Sequence, residues 1–348
     1  MTRAIPATRF AAGPSATRPP VTRDGVRLLV AGKELAHRRF RDLPGALQPG
    51  DLVVVNTSDT EPAAVAARRA DGRAAMLHVA GPDRHGGLVV ELRTPDGHRV
   101  TDAAAGEPIA LPGGVVATLR PGPQPGRLWT TTVTVEGGLR AYLTAVGQPI
   151  RYSYVREPWP LDAYRTVFAA PVPGEFGSAE MPSAGRPFTA AVLDALRARG
   201  VAVARIVLHT GVSSLEADEV PLPERYRVPA STAAAVRTTR AAGGRVVAVG
   251  TTVTRALETA AGPDGTVRAA RGWTDLVLGP DRPARVVDGL VTGWHEPEAS
   301  HLLLLEAVAG PELVGRAYAA AVERSYRWHE FGDSCLLLPP RYVGRRAG

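Results

Sequence analysis

Cysteine is almost absent from this 348-residue chain: Cys335 stands alone, which excludes an intrachain disulfide and any CxxC metal knuckle. Within the apolar run "SCLLL" it reads as a small core residue, because free cysteine is usually buried. Lysine is equally scarce. Lys33 is the single lysine among 41 basic residues, and no basic block exceeds "RRFR" at 38–41. That arginine bias, with abundant Ala, Gly and Pro, carries the stamp of a GC-rich genome. The net charge of +7 therefore permits a polyanionic partner such as RNA without demanding one. No run of about 18 apolar residues occurs, which excludes a membrane-spanning helix. The first twenty residues lack the apolar segment of a secretory signal, so the expectation is a cytoplasmic protein. Several chemistries are missing as well. GxxxxGK[ST] and GxGxxG do not occur, which argues against a nucleotide-triphosphate or dinucleotide enzyme. Nor is there an HExxH or paired His/Cys spacing for a metal, or a GxSxG nucleophile elbow.

What is present is a change of pattern along the chain. Residues 1–60 close with "LQPGDLVVVNTSDTEP", a Pro-Gly turn, a short buried strand and a polar loop. From 61 to 149, short alternating runs such as "AMLHVA", "GLVVELRT" and "LWTTTVTV" are separated by turn residues every 8 to 14 positions. This spacing predicts a small antiparallel barrel or sandwich, with one helix near 138–147. After 160 the chain alternates helix and strand: a helix over 188–200, the strand "VAVARIVLHTG", a helix in "ASTAAAVRTTRAAGG", the strand "RVVAVG" and the helix "TTVTRALETAAG". "ARVVDGLVTGW" reads as a strand, followed by helices in "SHLLLLEAVAG" and "PELVGRAYAAAVERSY". The expected fold is α/β, a mainly parallel sheet with helices on both faces. Its halves are residues 1–60 and 150–340, with the barrel-like unit of 61–149 inserted and 341–348 left as a tail.

In an open α/β sheet, ligands bind at the carboxyl ends of the strands. Here those ends carry His209, Thr210 and Gly211, then Gly250, Thr251 and Thr252, then Thr292, Gly293, Trp294 and His295. Taken singly, each has a structural reading: a threonine after a strand often caps a helix, and a lone histidine is usually a core residue. Together they describe the wall of one pocket for a polar, zwitterionic ligand, with no metal and no bound cofactor.

These residues also carry a resemblance. "AxxPxxxRxxxRLL" is met by Ala16, Pro19, Arg23 and Arg27 to Leu29, and "FRDLPGALQPGDLVVVN" ends in Asn56. "YRTVFA" begins at Tyr164; "PSAGRPF" contains Ser183, Ala184 and Gly185; "LHTG" ends at Gly211. "VGTTVTRALE" contains Arg255 and Glu258, and "VVDGLVTGWHEPEAS" and "YRWHEFGD" complete the series, the last ending in Asp333. In this order and nearly end to end, the chain resembles the S-adenosylmethionine:tRNA ribosyltransferase-isomerase family of the queuosine pathway. The resemblance implies an α/β domain with an inserted β-barrel. It implies a monomeric transferase that consumes S-adenosylmethionine as a substrate and uses no bound cofactor. The ribosyl group is joined to the aminomethyl group of a 7-deazaguanine base in tRNA and isomerised to an epoxycyclopentane; adenine and methionine leave.

Such a reaction needs a base for the C5′ hydrogen beside the sulfonium, a proton for adenine, an anchor for the methionine carboxylate and exclusion of water. His209 and His295 are the candidates for proton transfer, and Asp333 is expected to orient one of them or bind the amine. Arg255 is expected to clamp a carboxylate or phosphate, or else to pair with Glu258 on the same helical face. The amides of Thr251 and Thr252 suit an anion at a helix N-terminus. Substrate contacts implied by the resemblance are Arg23, Arg27, Asn56, Tyr164, Ser183, Ala184, Gly185, Gly211, Gly250, Thr292 and Trp294. The chain also departs from the family pattern. Asp59 stands where an arginine is expected, Arg186 and Pro187 replace Leu-His, Gly293 and Glu296 replace Asn and Leu, and an "HxMHxE" segment is missing, with only Glu224 keeping its place. Three readings follow: a divergent tRNA-modifying transferase, a paralogue with a small-molecule acceptor or altered reaction, and a non-catalytic RNA-binding relative.

Overall fold

The valine run "LVVVN" at 52–56 is buried at every position, as expected of a strand flanked on both sides and covered on both faces. In the computed structural model, which describes residues 6–212, 221–297 and 299–340, it is the third strand of the chain. The tail at 341–348, and most of the shortened stretch after "LHTGV", lie outside the described residues.

Three strands precede the second sheet: β1 (Arg27–Ala31), β2 (Leu35–Arg39) and β3 (Leu52–Asn56). Eight more follow: β4 (Ala64–Arg68), β5 (Ala74–Pro82), β6 (Leu88–Arg93), β7 (Pro108–Leu111), β8 (Val115–Thr118), β9 (Arg120–Pro121), β10 (Leu128–Thr131) and β11 (Gly147–Gln148). The remainder are β12 (Ala202–Leu208), β13 (Glu224–Val228), β14 (Val246–Val249), β15 (Ala270–Thr274), β16 (Gly289–Thr292) and β17 (Ser334–Leu337). They form two sheets. One has the order β15-β13-β12-β3-β14-β16-β17-β1-β2; the other has the order β8-β7-β4-β5-β6-β10-β9, with β11 on β4.

The second sheet is antiparallel throughout its recorded pairings, and it curls around its own core of Val65, Leu77, Val90, Leu92 and Ile109. The main sheet corrects the expectation of a mainly parallel one. β12, β3, β14 and β16 run parallel, as do β1 and β17. β15/β13, β13/β12, β16/β17 and β1/β2 are antiparallel, so the sheet is evenly mixed. The reason lies in the connections. Two helices, His301–Ala309 and Pro311–Glu323, separate β16 from β17, and an even number of crossings returns the chain to the end it left. β1 and β2 are joined by three residues, too few for a crossover.

Helices cover both faces. The helices Ala230–Ala241, Thr251–Thr259, His301–Ala309 and Pro311–Glu323 bury Val236, Leu257, Leu304 and Val314 on one side. The helix Ala190–Ala198 buries Val192 and Leu196 on the other. Cys335 lies in β17, 1% exposed, and burial pushes its thiol pKa up. Among the described residues no helix is long and apolar enough to cross a membrane.

Candidate active site

The parallel strands β12, β14 and β16 all finish at one edge of the main sheet. β17 starts at that edge because it runs antiparallel to β16, with Thr292 beside Cys335. The four segments at this edge, with the rim of the second sheet, enclose a cleft of about 240 Å³. Its walls include Tyr164, Ser183, Ala184, Gly211, Gly250, Thr251, Thr252, Arg255, Thr292, Trp294 and His295, so eleven of the expected residues are brought together.

The corner between β14 and its helix shows how the local sequence builds the wall. Gly250 has φ of 90°, a backbone that residues with a Cβ rarely adopt, and an added Cβ would lie 3.4 Å from the Cβ of Ala184. This sharp turn starts the helix Thr251–Thr259, whose first amides have no intrahelical acceptor. The hydroxyl of Thr252 is buried there without a partner.

Arg255 does not clamp from the wall as expected, nor does it pair with Glu258. Its guanidinium donates to the Glu224 carboxylate, to the carbonyl of Leu276 at 3.1 Å and to those of Thr274 at 3.2 Å and Leu222 at 3.3 Å. It is a buried post that holds Glu224 in the cleft. Glu258, 1% exposed, points the other way and accepts the amides of Arg285, Val286 and Val287 at 2.9, 2.7 and 3.1 Å. It anchors the segment before β16.

On the far wall, His295 Nε2 lies 3.0 Å from the Thr292 hydroxyl, and the His295 amide donates to the Tyr318 hydroxyl at 3.2 Å. The ring stacks on His301 at 4.7 Å with 2° between planes. Burial drives the His295 pKa well below the ordinary value, with His301 and His329 adding to the effect. His301 is lowered to about 4 by burial, then by Arg255. Both imidazoles are neutral near pH 7. Trp294 packs edge-on against Tyr318 and Tyr326, and its Nε1 is buried without a partner.

Asp333 is not in the cleft. Both its oxygens are occupied: one accepts the Arg27 amide at 2.7 Å, the other Arg27 Nε at 2.9 Å and the Arg327 amide at 2.8 Å. Arg27 in turn lies 4.2 Å over the Tyr326 ring. The pair fixes the turn that carries His329 and Glu330 into the cleft, where His329 adopts φ of 69°, a strained backbone for a non-glycine residue. His329 stacks on Tyr154 at 4.2 Å and reaches Glu296 at 3.2 Å. Tyr154 donates to Glu330, and Tyr152 donates to Glu180.

Other expected residues are engaged within the protein. Arg23 donates to the carbonyls of Asp162 and Arg165. Asn56 mimics a backbone pair, donating to the Leu208 carbonyl at 2.8 Å and accepting its amide at 3.0 Å. Gly185 is buried beneath the wall, where a Cβ would lie 3.4 Å from Thr166 Cγ2. Asp59 accepts Arg165 at 2.8 and 3.1 Å, so the reversed charge has a local partner. His209 lines a neighbouring hollow of about 280 Å³ rather than the cleft. Its Nδ1 is 2.8 Å from the Ser58 hydroxyl and its Nε2 is 2.9 Å from Glu175, so both nitrogens are engaged, and burial lowers its pKa.

Residues that the candidate set omitted include Glu224, Glu330, His301 and His329. Burial raises the pKa of both carboxyls, against Arg255 in the case of Glu224. Glu330 and His329 lay in the quoted "WHEF", but His301 is hidden in the apolar helix "SHLLLLEAVA". Tyr164 was expected; its hydroxyl is buried without a partner, and burial raises its pKa to about 12. Among the described residues no group of three His, Cys, Asp or Glu side chains is placed to hold a metal ion.

A family model described as queuosine biosynthesis protein matches residues 9–337. The S-adenosylmethionine:tRNA ribosyltransferase-isomerase of Symbiobacterium thermophilum is 38% identical over 341 residues, 93% of this chain and 96% of that protein. The protein of the same name from Moorella thermoacetica is 38% identical over 342 residues, 94% and 96%. The crystal structure of S-adenosylmethionine tRNA ribosyltransferase from Thermotoga maritima is similar with a TM-score of 0.52 at 28% identity, covering 95% of this chain and 99% of that one. The similarity takes in the cleft and both sheets, and the chain belongs to the queuosine biosynthesis protein family.

Proposed function

We propose that the protein transfers and isomerises the ribosyl group of S-adenosylmethionine onto 7-aminomethyl-7-deazaguanine in tRNA, releasing adenine and methionine. The observation that carries this reading is the 38% identity to a ribosyltransferase-isomerase over 93% of the chain. The donor is a consumed substrate, no bound cofactor takes part, and the protein acts as a monomer in the cytoplasm.

The sulfonium acidifies the adjacent C5′ hydrogen. A neutral imidazole in a dry wall accepts that proton, and His295, held by Thr292, is the group assigned to it. Adenine leaves with a proton, which Glu224 or Glu330 is suited to supply, because burial raises both carboxyl pKa values. The ribose C4′–O bond opens as adenine leaves C1′, and the aminomethyl nitrogen adds at C4′ and gives up a proton. The resulting C5′ carbanion closes on the C1′ carbonyl, and that oxygen displaces methionine from C5′ to form the epoxide. With Arg255 committed to Glu224, the remaining anchor for the methionine carboxylate is the helix start at Gly250, Thr251 and Thr252.

The test is mass spectrometry of adenine and methionine released from S-adenosylmethionine, with and without tRNA bearing the aminomethyl base. Release that requires the tRNA, with a matching mass gain on its base, is the expected result. Release that ignores tRNA points to a different acceptor, and no release removes the donor from the proposal.

A further inference from the structure

The outer edge of the main sheet carries a charge arrangement that this chemistry does not use. β13 and β15 pair with Arg227 directly opposite Arg271 and Arg225 opposite Trp273. β12 flanks β13 on its other side with Val207 opposite Arg227, so Arg205, two residues earlier, projects from the same face. Arg205, Arg227 and Arg271 are exposed, and among the described residues no carboxylate lies within salt-bridge distance of them. Arg225 is partly countered by Glu175 at 3.6 Å. Arg84, from the second sheet, lies 5.7 Å over the Trp273 ring and 3.4 Å from Asp275.

Like charges placed directly across a strand pair are destabilising, so the Arg227–Arg271 pair has a cost that a bound polyanion would offset. Guarding an exposed strand edge against pairing is one use for charge. That use needs neither a tryptophan nor a route to the active site, and both are present. The hollow beside this face is lined by Arg84, His85, Arg225 and Trp273, and it shares Gly211, Leu222 and Glu224 with the cleft. Arginines for phosphates beside an aromatic ring for a base are the pattern of a single-stranded RNA path.

We propose that the β12–β13–β15 face is the track for the phosphate backbone of the RNA acceptor, and that the hollow beside Trp273 leads its strand to the cleft. The proposal rests on the function given above. It is tested by measuring binding of an unmodified tRNA transcript across a series of salt concentrations, for the unaltered protein, for R227A/R271A and for the charge-matched R38A/R39A on β2 at the opposite edge. The expected result is about tenfold weaker binding of R227A/R271A near 0.1 M salt. The slope of log affinity against log salt should be shallower by about 1.4 to 1.8, two phosphate contacts at roughly 0.7 to 0.9 each; R38A/R39A should bind as the unaltered protein does. If the unaltered protein binds and R227A/R271A matches it in affinity and slope, the track is wrong while the function stands. Equal losses in both double variants also overturn it, since the effect is then net charge alone. Failure of the unaltered protein to bind the transcript overturns the track, while the function is then decided by adenine and methionine release with tRNA bearing the aminomethyl base. Binding of polyglutamate as tight as that of tRNA, lost in R227A/R271A, makes the face a site for acidic protein and overturns the RNA assignment.

Discussion

The two ends of the main sheet treat carboxylates in opposite ways. At the starting end, Asp51 precedes β3 and accepts the Arg245 amide at 3.0 Å, Arg245 Nε at 3.1 and 3.0 Å and the Gln48 amide at 2.9 Å. Burial alone would raise its pKa, yet the hydrogen bonds from Arg245 and Gln48 hold it below the ordinary value. At the finishing end, burial prevails for Glu224 and Glu330, and their pKa values are raised. One chemical group thus serves two ends: fully clasped, it fixes the fold; less fully clasped in a dry cleft, it can hold a proton.

Breaking the clasped end should have the largest effect. Asp51→Ala leaves Arg245 without its buried partner and should lower unfolding free energy by about 3 to 5 kcal/mol, read by denaturant melts, with turnover per folded molecule unchanged. The sign with pH follows from the lowered pKa. The contribution of Asp51 is present above its unfolded value of 3.8 and is lost as pH falls through the folded value, so the variant should lose less stability on acidification than the parent. A parallel acid limb in the two proteins would contradict this.

Next comes the poised end. Glu224→Gln keeps an acceptor for Arg255 but removes the proposed proton site, and His295→Ala removes the proposed base. Each should cut turnover per folded molecule at least about a hundredfold, beyond whatever stability is lost when Arg255 is left without its buried counter-charge or the His295 ring is removed. Normal turnover with a lowered melting temperature would make either residue structural. The smallest effect on turnover should come from Gly250→Ala, which forces a Cβ into φ of 90° and ψ of 160°, a region essentially reserved for glycine, at about 1 to 3 kcal/mol. Its signature, if the helix start is the proposed carboxylate anchor, is a raised KM for S-adenosylmethionine with kcat less affected, since such an anchor binds substrate and transition state alike.

The corner "VGTTVTRALE" was legible in the sequence as strand, glycine turn and helix, and so was the convergence of three strand ends on one pocket. Cys335 as a core residue was legible too. The partners of the corner's charges were not. Arg255 and Glu258 share a helix, yet one meets Glu224 and the other the amides of 285–287, because segments distant in the chain bring each of them a buried group of its own to satisfy. Asp333 has the composition of a catalytic acid, but its oxygens belong to Arg27, 306 positions away. The mixed direction of the main sheet was missed for a related reason: both helices between β16 and β17 are periodic, but the short strands β1, β2, β13, β15 and β17 were not read as strands, and every antiparallel pairing of this sheet includes one of them.

The sequence by itself determined what local sterics and short-range periodicity control: the buried central strands β3, β12, β14 and β16, where Gly250 must turn, and which faces of the helices are apolar. Tertiary structure alone decided which carboxylate meets a cation, which imidazoles are dry enough to stay neutral, and which arginines face each other across strands. Those outcomes depend on desolvation and on contacts between residues far apart in the chain, and neither is encoded in the spacing of neighbours.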